Sequence, residues 1–238
     1  MPARSSIKST SAALGARLAS LWRTKLLLLA LLWLAFGVPY LAVQRFPLRE
    51  AAQFPLTAVD QWIGFHPGWV YAYQSAYLLI PLAPFLSVQR AELWVYTRGF
   101  LLMTAVAMGI FLLFPVAGPR PTAVPRDGAF GLLLRYDKPL NAFPSLHVGL
   151  VVHSLAFGMW LRDRAGRGAV GKSNRNLNAG GWALAAGTVW AVLIAYSTLA
   201  TKQHYLVDIP VGVLLGGASQ WCSSRLARVA PAAVQGSF

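Results

Sequence analysis

Acid is scarce in this sequence. Seven Asp and Glu stand against 21 Lys and Arg in 238 residues, and charged residues of both signs reach only 12%. A soluble domain carries roughly a quarter charged residues, so the composition excludes an ordinary water-soluble enzyme, a coiled coil and a disordered chain. The single cysteine, Cys222, excludes an internal disulfide and a cysteine-built zinc site. With four histidines and so few carboxylates, a two-metal centre is hard to assemble, and neither a metal nor any other cofactor is expected.

What the chain has in plenty is apolar surface, at 56% of residues. Its net charge of +14 does not gather on one face of a soluble module, as nucleic-acid binding would need. The basic residues fall between apolar runs, where they set orientation and meet anionic lipid. The expected partners are membrane lipids, with no nucleic acid; the oligomeric state stays open.

A helix needs about 20 mostly apolar residues to cross a bilayer. Six segments qualify, near 26–43, 67–88, 94–117, 143–161, 181–200 and 204–222. The expected fold is therefore an all-α integral membrane protein, a bundle of six transmembrane helices. Leu56, Val59, Trp62 and Ile63 share one helical face, which predicts an interfacial helix near 49–65. Residues 1–25 carry five basic residues and no acid, and read as a cytoplasmic tail before an uncleaved first span, in preference to a presequence or cleaved leader. Residues 223–238 form a second tail. Alternate crossing then puts twice as many Lys and Arg inside as outside. The expectation is a multi-pass protein of a bacterial inner membrane with both termini cytoplasmic. The polar stretch 162–180 reads as a loop. Its Gly166–Ser173 part matches G-x-x-x-x-G-K-S formally, but membrane spans flank it where a strand and helix are required, so the match reads as chance.

Ionisable residues inside spans are costly and mark candidate sites. Arg98 lies near an inner end and can snorkel; His153 reads as a hydrogen-bonded packing residue. His204 and Asp208 are four apart and would share a helix face. A carboxylate there can hold one imidazole nitrogen and leave the other as a lone pair; a plain helix-stabilising pair is an equal reading of this spacing alone. The fourth span opens Asn141-Ala142-Phe143-Pro144-Ser145-Leu146-His147. Proline suits a first helical turn, the amides after it make an anion site, and Ser145 can add a hydroxyl beside His147. Arg120 stands between Pro119 and Pro121, where a guanidinium can grip two phosphate oxygens. Alternate crossing brings Arg120, His147, His204 and Asp208 to the same, outer face. Lys202 joins that rim, and Arg126, Arg135 and Lys138 lie in the loop beside it.

These clusters, in this order, resemble the type-2 phosphatidic acid phosphatase superfamily over about residues 94–222. That family's pattern is Lys-x6-Arg-Pro, then Pro-Ser-Gly-His, then Ser-Arg-x5-His-x3-Asp. The chain offers Arg120-Pro121, then Pro144-Ser145-Leu146-His147, then Ser197-Thr198 followed by His204 and Asp208. It departs at Leu113, Leu146 and Thr198, where the pattern has Lys, Gly and Arg. The FPSLH and STLATKQHYLVD wording is closer to the inositol phosphorylceramide synthase branch. The resemblance implies a metal-independent lipid phosphatase or phosphotransferase with a phosphohistidine intermediate. It implies His204 as nucleophile, Asp208 as its orienter and His147 as acid and base. Arg120 and Ser145 would bind phosphate, with Lys202 standing in for a missing cation. The implied substrate is a lipid phosphate reached from within the bilayer, with the site on the periplasmic or extracellular side. A transporter using the histidines as a proton relay, or a catalytically inactive lipid-binding protein of the same fold, are the alternatives.

Overall fold

The computed structural model describes residues 14–167 and 175–229. In chain order the helices are α1 (14–19), α2 (Trp22–Arg45), α3 (Ala58–Ile63), a 3-10 turn (Pro67–Trp69), α4 (Val70–Gln74), α5 (Ala76–Phe85), α6 (Arg90–Leu113), α7 (Gly128–Tyr136), α8 (Leu146–Arg167), α9 (Arg175–Ala200) and α10 (Asp208–Val229). No strand occurs among the described residues; Val116 makes isolated bridges to Ala52 and Asn141.

Among the described residues, three helical segments are long and apolar enough to cross a membrane: Trp22–Arg45, Arg90–Leu113 and Gly181–Ala200. Helices α8 and α10 have the length, at 22 residues each, but they are less apolar. They bury His153, Ser154, Ser219, Gln220, Ser223 and Ser224 against their neighbours. The expected second span is broken into the turn, α4 and α5. Pro81 and Pro84 lie inside α5, each removing one backbone donor from the helix.

Two other expectations change. The interfacial helix near 49–65 shrinks to the six residues of α3. Residues 46–57, with Pro47 and Pro55 among them, form no helix, and Thr57 starts α3 through a reciprocal cap with Asp60. The loop expected at 162–180 is helical at both ends, because α8 runs to Arg167 and α9 starts at Arg175. Most of the Gly166–Ser173 stretch lies outside the described residues, as do 1–13 and 230–238 of the two tails.

The core gathers Tyr96, Met103, Ala107 and Phe111 of α6, Phe157 of α8 and Ile194 of α9. Helix α10 packs on α8 and α6, and α8 on α9. The α8–α10 approach depends on glycine. A Cβ on Gly216 would stand 2.2 Å from the carbonyl oxygen of Gly149, and one on Gly212 would stand 2.5 Å from that of Ser145. Any side chain at either place would push apart the two helix starts that carry the candidate site.

Helix α2 leans on α6 and α5 from outside. It is fastened at both ends. At its amino-terminal end the Lys25 ammonium donates to the carbonyls of Arg17 at 2.7 Å and Phe85 at 2.8 Å. At the other end Tyr40 Oη and Gln44 Nε2 donate to Asp137 Oδ1 at 2.8 and 2.7 Å.

Candidate active site

The chain leaves α9 in a tight turn. The amides of Gln203 and His204 both donate to the carbonyl of Thr198, at 3.0 and 3.2 Å, and Lys202 adopts a left-handed φ of 55°. His204 therefore lies in the loop, and Asp208 is the first residue of α10. The two do not share a helix face, as their spacing suggested; the turn made on Thr198 ends one helix and delays the next. They meet all the same, because Asp208 reaches backwards. Its Oδ2 accepts from Tyr205 N at 2.8 Å and lies 3.2 Å from Nδ1 of His204. The same Nδ1 is 2.6 Å from the carbonyl oxygen of Ala142. A ring nitrogen facing two acceptors carries the proton, which leaves Nε2 with the lone pair. Asp208 is fully buried, and its Oδ1 has no hydrogen-bond partner among the described residues.

His147 sits in the first turn of α8. Its ring stacks on Tyr73, with centroids 3.9 Å apart, and meets the edge of Tyr77 at 5.5 Å. The two histidine rings are 6.4 Å apart, centroid to centroid, and both line one cavity with Asn141, Tyr40 and Tyr77. His147 Nε2 and Asn141 Oδ1 are buried without partners among the described residues.

Ser145 is buried at the α8 terminus. Its Oγ accepts from Val148 N at 3.4 Å and its carbonyl from Gly149 N at 3.0 Å. Pro144 lies ahead of the helix and not in its first turn, since α8 begins at Leu146. The amides of Leu146 and His147 have no helical carbonyl beneath them, the usual setting for an anion.

The two cations are already engaged. Arg120 Nη2 is 3.1 Å from Asp137 Oδ2, its Nη1 donates to the Asp137 carbonyl at 2.6 Å, and Nε and Nη2 both donate to Gln203 Oε1. The guanidinium is thus tied to the residue before His204. Gly118 lets its strand of chain approach, since a Cβ there would lie 2.7 Å from the Gln203 carbonyl. Lys202 turns toward α3 and donates to the Asp60 carbonyl. Burial lowers its pKa below the ordinary lysine value, an effect partly opposed by the Asp60 charge. Asp60 itself is buried and accepts from Leu206 N at 2.8 Å.

Of the other span residues, His153 is buried with Nε2 3.1 Å from the Tyr96 carbonyl, in the core and away from the cavity. Arg126, Arg135 and Lys138 form no ion pair among the described residues. No three His, Cys, Asp or Glu side chains among those residues gather as metal ligands would. Sequence reasoning did not single out Asp137, Asn141, Asp60, Tyr73 or Tyr77. The scarcity of acid was a usable signal for two of them: with seven carboxylates in the chain, each buried one asks for a reason.

Residues 95–230 match the PAP2 superfamily. The chain belongs to that superfamily. Searches of curated proteins and of solved structures returned no match. The matched stretch includes Arg120, Ser145, His147, Lys202, His204 and Asp208, whereas α2–α5 lie ahead of it. Membership in the PAP2 superfamily supports a phosphatase or phosphotransferase type of enzyme. Together with three membrane-length apolar helices, it supports a membrane protein.

Proposed function

We propose that this PAP2 protein is an integral membrane phosphatase or phosphotransferase that acts on lipid phosphate esters through a phosphohistidine on His204. The observation that carries the reading is the pair of imidazoles across one cavity, 6.4 Å apart, with the Nδ1 of one held by a buried carboxylate. Nε2 of His204 attacks phosphorus as the P–O bond to the lipid breaks. The leaving oxygen takes a proton from His147, and phosphorus stays on Nε2. Asp208 stabilises the ring as it becomes positive. In the second half, His147 removes a proton from an incoming water or alcohol, the new P–O bond forms, and the P–N electron pair returns to His204. Water gives hydrolysis; an alcohol gives head-group transfer, the outcome that the FPSLH wording favours.

Arg120 and the first-turn amides of α8, with Ser145, hold the phosphate oxygens in this scheme. The phosphate must draw Arg120 partly away from Asp137. Lys202 reaches the phosphate only by leaving Asp60, so its nearer task is to hold the loop. The reaction needs no metal, because these donors supply the positive field. The topology that fits is six crossings, with α4–α5, α8 and α10 as the shorter or more polar ones, and with the site at the outer face and both termini inside.

The test is to trap the intermediate. A labelled lipid phosphate, quenched early, is expected to leave acid-labile label on wild-type protein and none on a folded His204→Ala variant. That variant is expected to have no turnover. Full activity of His204→Ala discards the mechanism. Product analysis with and without an added lipid alcohol separates hydrolysis from transfer.

A further inference from the structure

The cavity holding the two histidines has a smaller neighbour beneath α2. A second cavity, lined by Leu29, Leu32, Tyr96 and Phe100, shares Trp33, Phe36, Ile80 and Leu150 with the first. The shared residues come from α2, α5 and α8, so the seam runs under α2 from the level of Tyr40 to that of Leu29. Eleven helical residues separate those levels, about 17 Å at 1.5 Å per residue. No charged side chain lines the inner cavity. The Tyr96 hydroxyl, the one hydroxyl on its wall, is occupied by the Ile80 carbonyl at 3.0 Å and by Ser154.

We propose that this seam receives one hydrocarbon chain of the substrate, lying along α2 with its phosphate end at His147 and His204. The proposal rests on the reading of the histidine pair as a lipid-phosphate site. The occupant follows from adjacency: one end is two imidazoles and a helix N-terminus, the other is apolar but for the engaged Tyr96 hydroxyl, and no charged side chain stands on the wall they share. Among the described residues, polar ties fasten α2 only at Lys25 and at Tyr40 and Gln44. Between them α2 meets the bundle through apolar and aromatic contacts, such as Phe36 against Phe100 and Trp33 against Tyr77. That stretch can give way to a chain while both ends stay in place. A length of about 17 Å spans roughly a dozen methylenes, and because the two cavities hold only about 40 and 10 Å³, a saturated or prenyl chain of that size enters as α2 gives way. Half of the wall is α2 and α5, which precede the residues matched to the superfamily. Chain selection therefore belongs to this protein's own amino-terminal helices.

The experiment uses the full protein in nanodiscs and a lipid phosphate with a diazirine near the middle of one chain. After irradiation and digestion, label is expected on peptides of α2 and α5. Excess unlabelled lipid phosphate should remove it, while the same lipid lacking phosphate should not. Leu32→Trp should cut that labelling at least tenfold. Ile80→Phe serves the same purpose if the first variant fails to fold. Label on α9 or α10, label that phosphate-bearing lipid does not displace, or equal labelling of both plugged variants overturns the proposal. Competed labelling of α2 by a protein that turns over no lipid phosphate would leave the seam standing and remove the enzymatic reading. Turnover with label elsewhere would do the reverse.

Discussion

Replacing Asp208 with Asn removes one charge and almost no volume. The carboxylate is fully buried, with Oδ2 3.2 Å from His204 Nδ1. An orienting carboxylate of this kind fixes the tautomer of the ring and stabilises its positive form. Here the first task is shared, since the Ala142 carbonyl faces the same Nδ1 at 2.6 Å. The second falls to Asp208 alone. Two unit charges about 4 Å apart at an effective dielectric near 20 attract by about 4 kcal/mol. Each 1.4 kcal/mol is about tenfold in rate. Part of the attraction survives through the dipole of Asn, so kcat is expected to fall about a hundredfold to a thousandfold. The loss should be smaller than the ~10⁴ seen where the tautomer is lost as well. KM should move little, because the carboxylate faces the ring and not the substrate. Initial rates with a short-chain lipid phosphate in detergent measure this, with elution volume and thermal unfolding as checks on folding. A folded Asp208→Asn protein with kcat within threefold of wild type would show that the reacting ring does not feel this charge, and would refute the argument.

The other side-chain roles separate in similar ways. His147→Gln should slow the first step, phosphoryl transfer from a lipid phosphate to His204 read as kcat/KM, about 10²–10⁴-fold, but slow the same step with nitrophenyl phosphate less than tenfold, because that leaving group needs no proton, while release of phosphate to water slows for both; equal losses of kcat/KM on both would deny His147 the acid role. Gly216→Val should lower the thermal midpoint in detergent by several degrees or prevent folding, since the new Cβ would meet the Gly149 carbonyl oxygen at 2.2 Å; an unshifted midpoint would mean that α8 and α10 are not held as close as described.

The long apolar runs were legible in the sequence because lipid imposes length and hydropathy directly. So α2, α6 and α9 lie where the pattern put them, within a few residues at most ends. The helices that carry the site were harder to bound. His204 looks like a helix residue from its spacing to Asp208, yet the Thr198 carbonyl, taking two amides, turns the chain there. Residue spacing reports the partner of a side chain better than it reports the backbone between them. Arg120 was found from its prolines. Its partners were not, because Asp137 and Gln203 come from two distant segments, and only packing joins them. The same is true of Tyr73 and Tyr77 on His147, where an aromatic residue in an apolar run gives no sign of which ring it will face.

The carboxylate of Asp60 holds the amide of Leu206 across 146 positions of sequence. The reactive loop thus borrows its stiffness from a part of the chain that family resemblance does not cover. A chimera that joined this protein's carboxy-terminal half to a foreign amino-terminal half would keep both imidazoles and their acid. It would also leave a partly buried backbone donor without its acceptor, two residues from His204. Such hybrids should insert and fold, yet work slowly, because what they lack is the distant clamp and not the chemistry.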